Sequence, residues 1–485
     1  MKFGTAIKSW KLWSPGAVAF FIGLSIAYRD LRVTSYDDAA ITYRYAWNIS
    51  HGLGWVYNQG DRTNGASSPL YTFLLAIGSK AGFQIPGFSV FVNVTSYALV
   101  GLLIYLITEN ISQLIPSKNF LIQAVPLLSV CLFYLSEGAR SIFLSGMETS
   151  FCSLLGLLSI YFVVKEQVGF AWFIAGLAVV AKIDALALVC ALGMLQYLLH
   201  KPNFKEIIRI LKFFIIAPFI WFTFSQFYFG SIIPNSANQK FFGLLTQNFK
   251  FDHSWVLKHL ASDGYFIATI SCISIAIIFF ITRFQVKFFF VAMAIFVWPM
   301  IHGTFFSVVN LGGLYDWYLG VLYPPLLIVT GLFFIYTLNS LETYLKKTTI
   351  YLIAGICIFT TVFAGHNLKQ TLSVINHGHQ VSDYEAFEKT RQEAGEWLGK
   401  QASSREVVAT CFGWIAWGAI QNPIQETCPL STRKSVGSPN WFVNSSFPGV
   451  RIPKGAEYGG QIKKQYVSNQ GGRGATWIVR LPTNN

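Results

Sequence analysis

Charge is scarce in this chain. Asp, Glu, Lys and Arg make up 12% of its 485 residues, about half of what a soluble domain carries. The familiar catalytic signatures are missing. There is no G-x-x-x-x-G-K-[ST] loop, no H-E-x-x-H helix and no G-x-S-x-G turn, which excludes P-loop, zinc-peptidase and serine-triad chemistry. The His and Cys spacings of zinc sites are absent as well. No internal repeat, low-complexity run or nucleotide-binding motif interrupts the chain. The seven cysteines are scattered. Cys131, Cys152, Cys190, Cys272 and Cys357 lie in apolar segments, where a thiol acts as a small hydrophobe. Cys411 and Cys428 lie in the polar tail and form a disulfide if that tail is outside the cytoplasm, or stay as two free thiols.

What is present is apolar length. The residues are 53% hydrophobic, with 44 Phe and 22 Tyr, and the composition is that of a polytopic membrane protein. Segments long enough to cross a bilayer fall at 13–28, 87–107, 120–136, 142–164, 169–181, 185–199, 213–229, 264–282, 287–301, 319–338 and 349–366, about eleven spans. The first follows Lys2, Lys8 and Lys11 but no small-x-small cleavage site follows it, so it reads as an uncleaved anchor. The net charge of +14 does not imply nucleic acid. The basic residues gather in short loops, around Lys201–Lys212, Arg283–Lys287 and Lys346–Lys347, the pattern of cytoplasmic loops. The longer loops 29–86, 230–263 and 302–318 then face outward, and an odd number of spans puts the tail outside too.

Two parts follow from this: a membrane domain over 1–366 and an extracytoplasmic domain over 367–485. Within the first outer loop, Ile41, Tyr45 and Ile49 recur at helical spacing after Asp38, predicting an amphipathic helix in the membrane interface. It stops near His51-Gly52, and Leu70–Ile77 is a second, short apolar helix. In the tail, 383–400 reads as a helix capped by Ser382, with Phe387, Ala394, Trp397 and Leu398 on its apolar side. Residues 405–411 and 476–481 read as strands. The fold expected is all-α in the membrane, with a small α/β domain attached.

Candidate chemistry sits at the outer ends of the spans. Asp37 and Asp38 stand together at the mouth of the first loop, and ionisable groups at membrane depth are functional candidates by default. Asp37 also suits a helix cap. Glu148, in Ser145-Gly146-Met147-Glu148-Thr149-Ser150, is either a site acid or a solvated loop acid. Lys182 and Asp184 make a local ion pair or meet an anionic ligand. Asn235 and Lys240 follow the helix-breaking Phe229-Gly230-Ser231 and Pro234. Asp316 lies in Tyr315-Asp316-Trp317-Tyr318, where the rings also suit an interfacial belt.

The block Tyr36-Asp37-Asp38-Ala39-Ala40-Ile41-Thr42-Tyr43-Arg44-Tyr45-Ala46, continuing through Gly52-Leu53-Gly54-Trp55 and Thr63-Asn64-Gly65-Ala66-Ser67-Ser68-Pro69, resembles the first outer loop of the GT-C superfamily. Within that superfamily it is most similar to the terminal cell-wall arabinofuranosyltransferases. Ser145–Thr149, Phe229-Gly230-Ser231 with Pro234, Asn235 and Lys240, and Asp316-Trp317 resemble later blocks in the same order. Two departures stand out. The family's Arg-Pro-Asp-Gly is Lys182-Ile183-Asp184-Ala185 here, and Leu319-Gly320-Val321 follows Asp316-Trp317 where a basic residue is usual.

The resemblance implies sugar transfer from a polyprenyl-phosphate donor to a cell-envelope glycan or lipid acceptor. The site would face away from the cytoplasm, in the cell (inner) membrane. Such a reaction needs a base on the acceptor hydroxyl and positive charge on the leaving phosphate. Asp37 or Asp38, more readily Asp38, is the base in a direct inverting displacement. Arg44, Lys182 and Lys240 are the candidates for the phosphate. Glu148, Asp184, Asn235 and Asp316 are the candidates for sugar hydroxyls. No cofactor is demanded, and Mg²⁺ or Mn²⁺ is compatible with the oxygen ligands. A lipid-linked sugar flippase, a polymerase or ligase of preassembled glycans, and an inert assembly subunit are the competing classes.

Overall fold

A computed structural model describes residues 13–31, 35–115, 119–235, 237–238, 286–308, 316–344, 373–377, 383–411, 413–426, 438–446, 461–467 and 475–481. The expected spans at 264–282 and 349–366 lie outside the described residues.

The helical body follows the apolar runs. It contains α1 (Trp13–Arg29), α2 (Asp37–Ser50), α3 (Pro69–Lys80), α4 (Ile85–Ser112), α5 (Phe120–Leu135), α6 (Glu137–Phe143), α7 (Thr149–Val164) and α8 (Val168–Ala181). After these come α9 (Leu186–His200), α10 (Phe204–Phe229), α11 (Val286–Val308) and α12 (Tyr323–Tyr344). Among the described residues five helices are long and apolar enough to cross a membrane, or six if the bent pair α5–α6 is one span. Three shorter apolar helices accompany them. Most of α10 faces outward, with Leu211, Ile215, Phe219, Ile220 and Phe227 exposed, as a lipid-facing helix requires. Its start differs from the expected 213. The helix begins at Phe204, where Asn203 accepts the amide of Glu206 and the Glu206 carboxylate accepts the amide of Asn203. That reciprocal cap outweighs the basic residues that made the segment read as a loop.

The expected span 142–164 is not continuous. Ser136 caps α6, which bends from α5 by 66° and stops at Phe143. The chain then turns through 144–148 before α7 begins at Thr149. Gly146 sits there at φ +81°, a conformation that favours glycine. A Cβ on Gly146 would lie 2.3 Å from Ser35 Oγ. An apolar run alone does not reveal such a turn, because Phe143, Leu144 and Met147 supply hydrophobic character through it.

The tail forms α13 (Asp383–Gln401), β1 (Val408–Thr410), α14 (Gly413–Gly418), β2 (Ile424–Glu426), β3 (Trp441–Ser446), β4 (Gln461–Val467) and β5 (Ala475–Arg480). The sheet order is β2-β1-β3-β5-β4. β1 runs parallel to β2 and β3, while β5 is antiparallel to β3 and β4. The expected α/β character holds, and Phe387, Ala394 and Leu398 are buried as expected. Ser382 lies outside the described residues. Cys411 is disulfide-bonded; Cys428 lies outside the described residues.

The first loop and the tail share one core. Tyr45, Tyr57 and Ala66 pack with Ala394, Leu398, Val408, Ile415, Ile424, Trp441 and Ile478. On its opposite side α2 gives Ala39, Ala40, Tyr43 and Ala46 to the core of the helical body. α2 is therefore enclosed between two apolar surfaces rather than lying on one face in an interface. The expected second short helix is α3, and it is one-sided: Tyr71 and Leu75 are buried, Phe73 and Ile77 exposed.

Candidate active site

The acidic pair divides at the first turn of α2. Tyr36 is the N-cap residue and contributes no side-chain cap, so the two carboxylates occupy the first helical positions, where the helix dipole favours negative charge. Asp37 turns toward the tail. Its oxygens accept the backbone N–H of Gly413 at 2.9 Å and of Trp414 at 3.0 Å. The cap is real, but the helix capped is α14, not α2. Only glycine suits position 413, since a Cβ there would lie 2.2 Å from the carbonyl oxygen of Asp37. Asp38, one residue on, is the exposed member of the pair.

Arg44 completes the same attachment. Its guanidinium donates to the carbonyls of Tyr57 at 2.9 Å and Asn422 at 2.8 Å, and to Ala416 and Ala419 at the far end of α14. Asp37 thus takes amides from the start of α14 and Arg44 takes carbonyls from its end. Each charge meets the pole of opposite sign. Asn58 adds a two-point bond to Ile424, donating to its carbonyl and accepting its amide. The Trp414 indole N–H donates to Ser35 O. The sequence makes Arg44 a candidate for the phosphate. It is buried instead among backbone carbonyls, as the bond between first loop and tail.

A second charged group lies within the helical body. Glu148, just before α7, pairs with Lys182 at 2.8 Å, and both side chains are buried. The ion pair of Lys182 is therefore not the local one expected with Asp184 but one with Glu148, at the start of another helix. Lys182 ends α8, where the backbone turns extended ahead of the short 3-10 turn Ile183–Ala185. Asp184 lies in that turn, half-buried, within electrostatic reach of Lys182 and His302. The Lys182 ammonium sits 5.4 Å from the centre of the Tyr318 ring. His302, buried on α11, bonds the carbonyl of Tyr318 at 2.9 Å. No sequence motif marks His302, which falls where the expected span 287–301 gives way to the loop 302–318; the helix runs on to Val308 and buries it.

The two groups are joined through Tyr36. Its backbone N–H donates to Ser145 O at 3.0 Å, in the turn that leads to Glu148. Its ring meets Trp317, with centroids 5.2 Å apart, and Trp317 adjoins Tyr318 in the 3-10 turn Asp316–Tyr318. Of the expected site residues, Asp37, Asp38, Glu148, Lys182 and Asp184 thus belong to one connected region. Asp316 has its backbone there, and its side chain lies outside the described residues. Asn235 is buried against the first loop, its backbone N–H donating to Asn64 O. Lys240 lies outside the described residues. Among the described residues no group of three or more His, Cys, Asp and Glu is placed to hold a metal ion.

A further buried pair carries no sequence motif. Arg140 on α6 meets Asp30, just past α1, at 2.9 Å and also donates to the carbonyls of Tyr134 and Leu135. It satisfies carbonyls freed where α5 ends and fixes the exit of α1, so its role is architectural.

Compared by sequence, the chain matches no protein-family model and no curated protein. Compared by structure, it is similar to ArnT from Cupriavidus metallidurans in the apo state, with a TM-score of 0.55 and 12% identity over 96% of this chain and 97% of that one. It is likewise similar to ArnT from the same organism bound to undecaprenyl phosphate, with a TM-score of 0.52, 12% identity and the same coverage. The chain is a mostly helical, multi-pass membrane protein that has, along nearly its whole length, the fold of ArnT.

Proposed function

We propose that this chain is an integral membrane glycosyltransferase. It moves a sugar from a polyprenyl-phosphate donor to a cell-envelope glycan or lipid acceptor, on the extracytoplasmic side of the inner membrane. The observation that carries this reading is the junction at Tyr36, which ties an exposed carboxylate, Asp38, to the buried Glu148–Lys182 pair. A base and a held cation are the two groups that a lipid-phosphate leaving group requires. The fold likeness supports it, since one of the similar ArnT structures is bound to undecaprenyl phosphate. The distribution of basic residues among the loops supports the outward-facing site and tail.

In this scheme the acceptor hydroxyl loses its proton to Asp38 as its oxygen bonds to the sugar's anomeric carbon. The bond from that carbon to the phosphate oxygen breaks, and the electron pair leaves with the polyprenyl phosphate. The displacement is in line, so the configuration inverts. Lys182 meets the charge on the phosphate, with Lys240 as the second cation. Glu148 holds Lys182 in place before the donor arrives. Asp184 meets sugar hydroxyls, with Asn235 and Asp316 as the further candidates for them. Asp37 and Arg44 carry no chemical step and hold the first loop to the tail. No step is routed through a metal; repeating the assay with a chelator and with Mg²⁺ or Mn²⁺ tests whether one contributes.

The test uses purified protein in lipid nanodiscs with a panel of polyprenyl-phosphate pentoses and hexoses, arabinofuranose included, and candidate acceptors. Release of polyprenyl phosphate together with a glycosylated acceptor is expected for one donor. Translocation of donor without release identifies a flippase instead, and overturns the proposal.

A further inference from the structure

The turn that delivers Glu148 is gripped by one side chain from a neighbouring span. Asn93 lies in α4, wholly buried. Its Oδ1 accepts the backbone N–H of Gly146 at 2.9 Å, and its Nδ2 donates to the carbonyl of Met147 at 3.0 Å and to the Tyr71 hydroxyl at 3.1 Å. The backbone donor and acceptor fix which end of the amide is which. The grip is reinforced from the other side. Tyr71 donates its hydroxyl to Gly146 O at 3.0 Å, and Tyr43 reaches the same carbonyl at 3.4 Å. Tyr43 also donates to Ser35 and shares a hydrogen bond with Ser89.

The bonds to the backbone fall on three successive peptide groups, from Ser145–Gly146 to Met147–Glu148, that lead into Glu148. The turn has no regular secondary structure to hold it, and Gly146 is intrinsically free to adopt other conformations. A buried amide in a membrane helix is costly unless fully bonded. Here every described partner belongs to this turn or to the tyrosine that supports it.

We propose that Asn93 is a positioning residue for the transfer reaction. By clipping Gly146 and Met147, it sets where Glu148 stands and therefore where Glu148 holds the Lys182 ammonium. Asn93 touches neither donor nor acceptor, and Tyr71 is its second support. This rests on the reading of Lys182 as the cation for the leaving phosphate, but the geometric part stands apart from it.

Two measurements separate those parts. The first is independent of catalysis: the rate at which an amine-reactive reagent modifies Lys182, followed by mass spectrometry in nanodiscs. Asn93→Ala and, more mildly, Tyr71→Phe are expected to raise that rate as Glu148 moves off the lysine. Tyr71→Phe keeps the ring in place and serves if Asn93→Ala fails to fold. The second is turnover. Misplacing a catalytic group by about 1 Å costs on the order of 100-fold, so Asn93→Ala is expected to lower kcat by about 10- to 100-fold. In a Glu148→Gln background the same change should add little, because two residues acting through one interaction are not additive. An unchanged labelling rate in both variants overturns the clip. A multiplicative loss of kcat in the double variant overturns the claim that Asn93 acts through Glu148. If no donor is turned over by any form while labelling rises as expected, the clip stands and the glycosyltransferase reading fails.

Discussion

Replacing Asp37 and Asp38 one at a time by Asn should produce two different defects. Asp37→Asn keeps one oxygen to accept an amide from α14, but sets an NH₂ group against the other N–H. Both native bonds, at 2.9 and 3.0 Å, end on a carboxylate. Losing one hydrogen bond to a charged group costs about 1.5–3 kcal/mol. At about 2 kcal/mol the balance between attached and detached tail shifts roughly 30-fold. Arg44, Asn58 and the shared core still favour attachment, so the tail should loosen without leaving. Asp38→Asn changes none of these bonds. If Asp38 is the base, its loss costs about two to four decades of kcat, or roughly 3–5 kcal/mol of barrier. The assays are turnover of polyprenyl-phosphate sugar and limited proteolysis of the tail, both in nanodiscs. Asp37→Asn should speed proteolysis and lower turnover by no more than about 30-fold. Asp38→Asn should leave proteolysis unchanged and remove most turnover. Full turnover in Asp38→Asn refutes the assignment of the base. A loss of about a thousandfold in Asp37→Asn with an intact tail exchanges the two roles.

The remaining expectations concern the supports of the site. Lys182→Met alone should destabilise the protein by about 3–5 kcal/mol, because it strands a buried Glu148. The double change with Glu148→Leu should recover most of that in thermal unfolding but restore no transfer. Gly413→Ala should cost about 1–3 kcal/mol by overpacking and speed proteolysis of the tail. Gly193→Ala, where a Cβ would meet nothing within 4 Å, should be near neutral in the same assays. In the tail, the hydrogen bond from Arg480 draws the Glu406 carboxyl down from 4.5 to about 2. A carboxyl with a depressed folded pKa stabilises fully above its unfolded value and loses that contribution as pH falls. The stability gap between the native chain and Glu406→Gln should therefore be constant above about pH 5 and vanish between about 4.5 and 2. A gap that widens on acidification contradicts this.

Apolar length and loop charge carried most of the architecture in the sequence. α1, α4, α5, α8, α9, α11 and α12 lie where the hydrophobic runs put them, and the first loop's two helices and α13 were equally readable. The signal failed where a decisive partner is remote in sequence. Arg44 looks like a phosphate ligand because a sequence shows its charge but not the carbonyls of Ala416 and Asn422 that surround it, 372 and 378 residues on. Glu148 and Lys182 were each visible as candidates, whereas their pairing depends on the turn at Gly146. β2 is three residues long, too short for an alternating pattern to stand out, whereas β1, equally short, lies within the strand read at 405–411. Asn93 lies within an apolar run, and only the peptide it holds gives it meaning.

The shared core of first loop and tail also imposes an order on biosynthesis. Asn58 leaves the ribosome 366 residues before Ile424, the residue it bonds at both backbone positions. At about 5–20 residues per second, that interval is roughly 20–70 s. Throughout it, Tyr45 and Tyr57 lack the apolar surface that later covers them, while span after span is inserted between them and their partners. A nascent chain that stalls in the later helices would thus present an uncovered aromatic loop with no tail to close it. Only when the strands of the tail have been made can that aromatic surface be covered.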